Sequence, residues 1–161
     1  MIRVFLVEDQ PMMQEALRLY LDSTDDLVLA GEAADGVDAV EMVRESAPDV
    51  VVMDVDLPGQ NGVAATREIL EESPDIRVLV VTTFTTDHHV VRALRAGARG
   101  YVTKDAHAST VLDAIRSVAA GSTRSPRPAP VRPRRLMTRL LQISPRRLPI
   151  RLVCPTFRLE S

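Results

Sequence analysis

Val50-Val-Val-Met-Asp-Val-Asp-Leu-Pro-Gly-Gln-Asn-Gly62 decides the fold in its first five residues. Four apolar residues, three of them β-branched, run straight into Asp54, with Pro48 just before them and Gly59 and Gly62 just after. A short apolar run bounded by turn residues reads as a strand buried on both faces, the mark of a parallel sheet. Three further runs of the same kind end in a reactive side chain. Ile2–Val7 meets Glu8 and Asp9, Arg77–Val81 meets Thr82, and Gly100–Thr103 meets Lys104. Only Leu27–Glu32 ends without an obvious reactive group.

Helical patterns fill the gaps. Pro11 can open a helix carrying Met13, Ala16, Leu17, Tyr20 and Leu21 at helical spacing, and the Asp22–Asp26 stretch breaks it. Asp35-Gly36 turns into a helix whose apolar side carries Val40, Val43 and Ala47, and Pro48 stops that one. Asn61-Gly62 leads into a helix with Ala65, Ile69 and Leu70, ended by Ser73-Pro74-Asp75. A fourth is expected from Asp87 to Ala96, and a fifth carries Val111, Leu112, Ile115, Val118 and Ala119 up to Gly121. Five alternating βα units predict an α/β fold with a doubly wound, five-stranded parallel sheet. In such a sheet ligands sit outside the carboxyl ends of the strands. Three carboxylates, one hydroxyl and one ammonium would meet there, which points to a divalent-metal and phosphoryl site.

Composition divides the chain. Residues 1–121 hold 10 Lys+Arg against 21 Asp+Glu, whereas residues 122–161 hold 10 Arg against Glu160 alone. The net charge of −2 is therefore −11 in the first part and +9 in the second. Seven of the 11 prolines also lie beyond Gly121, so the domain boundary is placed there. No apolar run approaches the roughly 20 residues that cross a bilayer, so no membrane partner is expected. The chain starts directly on a strand-like run with no signal peptide, and its one cysteine, Cys154, fits a reducing compartment; the expectation is cytoplasmic.

Asp54, emerging from a buried strand, can attack a phosphoryl group and form an aspartyl phosphate. Such a transfer needs positioning and charge neutralisation more than covalent help. Mg²⁺ suits the second task, being a hard cation held by one or two carboxylates, waters and phosphate. Asp9 and Asp54 are the natural direct ligands, with Glu8 acting directly or through water. Lys104 supplies a compensating ammonium, and the Thr82 hydroxyl can hydrogen-bond a phosphoryl oxygen. Singly, each has a plain structural alternative: Asp54 a turn residue, Asp9 a cap for the first helix, Thr82 a core residue, Lys104 a solvated one. It is their convergence on one sheet edge that speaks for a site.

The stretches VFLVEDQPMM, VVVMDVDLPGQNG, VLVVTTF and AGARGYVTKD closely resemble the receiver domain of bacterial two-component response regulators. They are most similar to the NarL/FixJ subfamily, which joins its receiver to a LuxR-type helix-turn-helix. The resemblance covers residues 2 to about 121 and includes the spacings from Asp9 to Asp54, Asp54 to Gly62, and Thr82 to Lys104. It implies a flavodoxin-like, CheY-like fold with Asp54 as phosphoacceptor and Glu8, Asp9 and Asp54 as the acidic Mg²⁺ pocket. The backbone carbonyl of Asp56 would be a further metal ligand, Thr82 and Tyr101 the switch pair, and Lys104 the ion-pairing lysine. A sensor histidine kinase is the implied partner, with a homodimer as a further one. The implied chemistry is self-phosphorylation from a donor and slow self-dephosphorylation, not enzymatic turnover of a substrate. Two departures stand out. Glu8 replaces a common Asp, which metal binding should survive, and Thr103 replaces a commonly apolar residue, with a local packing effect expected.

Adding a phosphoryl group to Asp54 would place about −2 of charge beside Thr82 and Lys104. Thr82 moving toward it would vacate space for Tyr101 and reshape the face of the fourth helix, fifth strand and fifth helix. A half-buried strand aromatic packing on a helix is the structural alternative for Tyr101. Asp54-Val-Asp56 also fits the DxD of Mg²⁺-dependent phosphatases, but Glu8-Asp9 on an earlier strand explains the metal better. His88 and His89 are adjacent and point apart, and Cys154 has no histidine nearby.

The tail is the least legible part. Ser122–Pro133 reads as a disordered Pro/Arg/Ser linker, and Arg134–Ile143 as a short basic helix. Dispersed prolines exclude the four helices of the usual output domain, so DNA binding through a helix-turn-helix is not expected. Three readings stay open for residues 122–161: a truncated or frame-altered end with no evolved task, a basic arm for nucleic acid or an acidic partner, and a dimer-stabilising arm. For the whole chain, the expected function is a phosphorelay switch with a changed protein-binding surface. The alternatives are a transcription factor acting through its basic tail, and a receiver acting only as an interaction or phosphate-sink module.

Overall fold

The computed structural model describes residues 1–58, 61–83 and 87–121. Its elements alternate: β1 (Ile2–Val7), α1 (Pro11–Asp22), β2 (Leu27–Ala33), α2 (Gly36–Ser46), β3 (Val50–Asp54), α3 (Gly62–Glu72), β4 (Arg77–Thr82), α4 (Asp87–Arg95), β5 (Gly100–Thr103) and α5 (Ala108–Ala119). All five strands form one parallel sheet in the order β2-β1-β3-β4-β5. This is the doubly wound α/β architecture with the flavodoxin-like strand order.

Strand alternation sorts the core into two halves. Phe5, Val7, Val51, Met53, Val78 and Val80 face α2, α3 and α4, packing on Val40, Val43, Ile69 and Ala93. Val4, Leu6, Val50, Val52, Leu79, Val81 and Val102 face α1 and α5, against Leu17, Leu21, Val111 and Ile115. Each such buried aliphatic side chain contributes about 1.5–3 kcal/mol of transfer free energy. β3 is central and every one of its five residues is buried, which is why its sequence lacks polar alternation.

Local chemistry sets the helix ends. Pro11 occupies the first turn of α1. The Asp35 carboxylate accepts the N–H groups of Val37 and Asp38 at 2.9 Å, and Asn61 accepts that of Ala64 at 2.9 Å. Side-chain caps of this kind are worth about 1 kcal/mol each.

Three expectations are adjusted. Ala47 does not lie on the apolar side of α2; it is exposed, with φ 43° in the left-handed region, just past the helix end. The ring of Pro48 disfavours the helical region for the residue before it, so the chain turns there. β2 runs on to Ala33, and α4 stops at Arg95. Gly121 has φ 62°, a conformation that glycine adopts without strain, and it follows the last turn of α5. The tail expectations, including the linker, the basic helix and the missing output domain, lie outside the described residues, as do Gly59 and Gln60. Among the described residues no helix is long and apolar enough to cross a membrane.

Candidate functional site

The sheet order places β1 and β3 side by side while their following connections run to opposite edges. That is the switch point where an open α/β sheet opens a crevice. Glu8 and Asp9 follow β1 there, and Asp54 closes β3. Thr82 closes β4 beside them, and Lys104 follows β5 with its N–H donating to the Thr82 carbonyl at 2.9 Å.

Alternation then assigns faces. Glu8, Asp54 and Lys104 continue the side of Leu6, Val52 and Val102, toward α1 and α5. Lys104 Nζ donates to Asp54 Oδ2 at 2.8 Å and to Glu8 Oε1 at 2.8 Å. Both acids are 1% exposed. The Gln10 N–H donates to Glu8 Oε1 at 3.0 Å, and the Asp56 N–H to Asp54 Oδ1 at 3.0 Å. The two carboxylates are thus oriented by backbone as well as by the lysine. Burial pushes the Glu8 carboxyl above its ordinary range, outweighing the hydrogen bonds from Lys104 and Gln10 that pull it down. Burial alone would lower the Lys104 ammonium, but its hydrogen bonds to Asp54 and Glu8 prevail and raise it.

Glu8, Asp9 and Asp54 each offer an oxygen, and these lie within 4.8 Å of one another. Among the described residues, the buried Asp9 Oδ1 has no hydrogen-bond donor. Glu8 Oε2 is similar: Lys104 Nζ is 2.8 Å away, but the aligned hydrogen bond goes to Oε1. Three carboxylates against one ammonium leave excess negative charge and free lone pairs in one spot. A hard, oxygen-seeking divalent cation fits that donor set.

Thr82 and Tyr101 lie on the other face of the sheet, that of α2, α3 and α4. Thr82 is buried, and Tyr101 is half-buried against that core half, paired in register with Val80. The expected residues therefore converge on one edge but on two faces, with the acids and lysine on one and the hydroxyl and aromatic on the other. Asp56 is exposed, next to the cluster.

Gly62, at a fixed offset from Asp54, completes the framework of the site. A Cβ on Gly62 would stand 1.9 Å from the Asp54 carbonyl oxygen, so α3 begins in direct backbone contact with the end of β3. The Gly62 N–H also donates to the Val55 carbonyl at 3.1 Å. The fixed offset from Asp54 to Gly62 was the available signal; its cause was not visible in sequence.

Residues 4–116 match the response regulator receiver domain family, and the chain belongs to it. It is 38% identical over 120 residues to the transcriptional regulatory protein YxjL of Bacillus subtilis, covering 74% of this chain and 55% of that protein. It is 42% identical over 121 residues to the response regulator GacA of Pseudomonas viridiflava, covering 75% and 56% respectively. The crystal structure of a LuxR-family two-component response regulator from Aurantimonas is similar with a TM-score of 0.71 and 37% identity, over 74% of this chain and 86% of that one. The chain spans about half the length of these curated relatives. A receiver is a signalling domain of two-component systems.

Proposed function

We propose that Asp54 accepts a phosphoryl group from a sensor histidine kinase. The carrying observation is the Lys104 ammonium bridging Glu8 and Asp54 beside acid oxygens that lack donors. Glu8, Asp9, Asp54 and the Asp56 carbonyl would hold Mg²⁺. Once bound, this ion supplies charge neutralisation for the transferring group. An Asp54 carboxylate oxygen forms a bond to phosphorus as the donor's P–N bond breaks and the imidazole leaves with the electron pair. Lys104 keeps an ion pair with the new oxygens, and the Thr82 hydroxyl donates to one of them. Tyr101 then turns inward and reshapes the α4–β5–α5 face, which a downstream partner or a second copy of the chain reads. Residues 1–121 form the receiver unit, acting in the cytoplasm and turning over only its own phosphoryl group.

Acetyl phosphate treatment followed by phosphate-affinity electrophoresis tests this reading. A retarded band in wild type that requires Mg²⁺ and is missing in Asp54→Asn is expected. The same band in Asp54→Asn would place the phosphoryl group elsewhere.

The output is transcriptional in a second reading, favoured by YxjL being a transcriptional regulatory protein and by the 10 arginines of residues 122–161. Binding through that basic segment would be mostly to phosphates, with little base specificity and a steep fall with salt. Gel shifts at two salt concentrations, with and without residues 122–161, test it. Affinity that does not change with salt contradicts it.

A further inference from the structure

The solvent side of α1 carries one stripe, Met12, Glu15, Leu19 and Asp22, spaced three and four residues apart. Met12 is 88% exposed and Leu19 59%. Lone exposed apolar side chains are ordinary; here two alternate with two acids along a single line. Arg18 is the only base in α1, and Glu15 and Glu32 already hold it, at 2.8 and 2.5 Å. Asp22 therefore closes α1 at the negative end of the helix dipole, in a last turn that contains no base. A cationic segment with apolar side chains would complement both features.

The chain itself holds such a segment, and it starts at the right place. Arg116, in the last turn of α5, donates to Asp26 at 2.7 and 2.9 Å, four residues past Asp22. The end of α5 thus sits beside the end of α1. Gly121 follows, and a Cβ on it would be 3.6 Å from Arg77 at the start of β4, so the chain leaves at that same end of the sheet. Residues 122–161 then carry +9 against −11 for residues 1–121. Within them, Arg134–Ile143 sets Leu136, Leu140 and Ile143 at i, i+4 and i+7, with Arg135 and Arg139 beside them. The 12 residues 122–133 span about 20 Å as a coil, and the 12 residues of α1 about 18 Å, so the segment can reach the whole stripe.

We infer that residues 134–143 dock on α1 of their own chain, the leucines against Met12 and Leu19 and the arginines against Glu15 and Asp22. The ionic part of this contact is exposed and weakens with salt. Nucleic acid and α1 then compete for the same arginines, so any binding of phosphates by the tail must first displace it from α1. The inference does not depend on the chemistry of Asp54.

The test uses the full chain with a nitroxide at residue 138, through Thr138→Cys with Cys154→Ser, and reads the broadening of backbone amide signals by NMR. Amides of α1 should broaden most at low salt, and the broadening should fade in high salt. Leu19→Glu and Asp22→Lys, both on the exposed stripe, should each abolish it while leaving the rest of the spectrum in place. Broadening centred on α2 and α3, broadening that neither variant removes, or none anywhere, overturns the inference. A mixture of nitroxide-bearing chains with isotope-labelled chains that lack the nitroxide separates the two sources of a contact. Broadening of α1 in that mixture as strong as in the single species would mean that the tail docks on a second copy, and would overturn docking within one chain.

Discussion

Lys104 Nζ lies 2.8 Å from Asp54 Oδ2, 50 residues away in sequence, and 2.8 Å from Glu8. One flexible cation thus ties the ends of β1, β3 and β5 together. A single ammonium cannot neutralise both acids and Asp9 as well, so the edge stays short of positive charge.

Replacing Lys104 by methionine leaves two buried carboxylates facing each other without their cation. Breaking a buried ion pair from one side costs about 3–5 kcal/mol. Urea denaturation without divalent cation should show a loss of that order, with the slope unchanged. Mg²⁺ should recover part of it, since it occupies the same electrostatic deficit. An equal loss with and without Mg²⁺ would separate the lysine from the acid cluster.

Gly62→Ala puts a methyl group 1.9 Å from the Asp54 carbonyl oxygen, and the obstacle is backbone, which cannot swing aside. Forcing α3 away from β3 should cost about 1–3 kcal/mol. Because the end of β3 must move, phosphorylation of Asp54 should also slow. Thermal melts and the acetyl phosphate rate measure the two effects, and a variant with both unchanged would contradict the contact.

Asp26 is held down to about 2 by its hydrogen bonds from Arg116, against an ordinary 3.8. A carboxyl depressed in the folded state gives stability that is present above pH 3.8 and lost as pH falls toward 2. Asp26→Asn should flatten the pH dependence of stability in that window, lowering stability modestly near neutrality and leaving it little changed at about pH 2 and below. The pair is solvent-facing, so salt should shrink the difference.

Tyr101→Ala should leave phosphorylation of Asp54 intact, since Tyr101 lies on the opposite face from the acids and lysine. Any phosphorylation-dependent self-association or partner binding should be lost. Sedimentation with and without acetyl phosphate checks this, and an unchanged dependence would remove Tyr101 from the switch.

Much of this was legible because buried parallel strands write themselves as unbroken apolar runs. Val50–Met53 marked both the central strand and, through the residue ending it, the site. Glu8, Asp9, Asp54 and Lys104 could be gathered from topology alone, since strand ends of a doubly wound sheet share an edge. What could not be read were contacts that depend on register and close approach. The helical spacing of Val40, Val43 and Ala47 puts Ala47 on a helix face, yet Pro48 after it ends the helix and Ala47 lies just past the last turn. Gly62 read as a turn residue because a missing Cβ leaves no trace in sequence of what would fill it. The pairing of Thr82 with Thr103 follows from the β4–β5 register, which no pattern within either strand contains.

The central claim is that Asp54 takes a phosphoryl group in an acidic, metal-assisted pocket. Intact-protein mass spectrometry after acetyl phosphate treatment, with and without Mg²⁺, for wild type and Asp54→Ala, tests it most directly. The account predicts one phosphoryl adduct in wild type that needs Mg²⁺ and is missing in Asp54→Ala. No adduct on a folded wild-type chain, or an adduct that persists in Asp54→Ala, would contradict it.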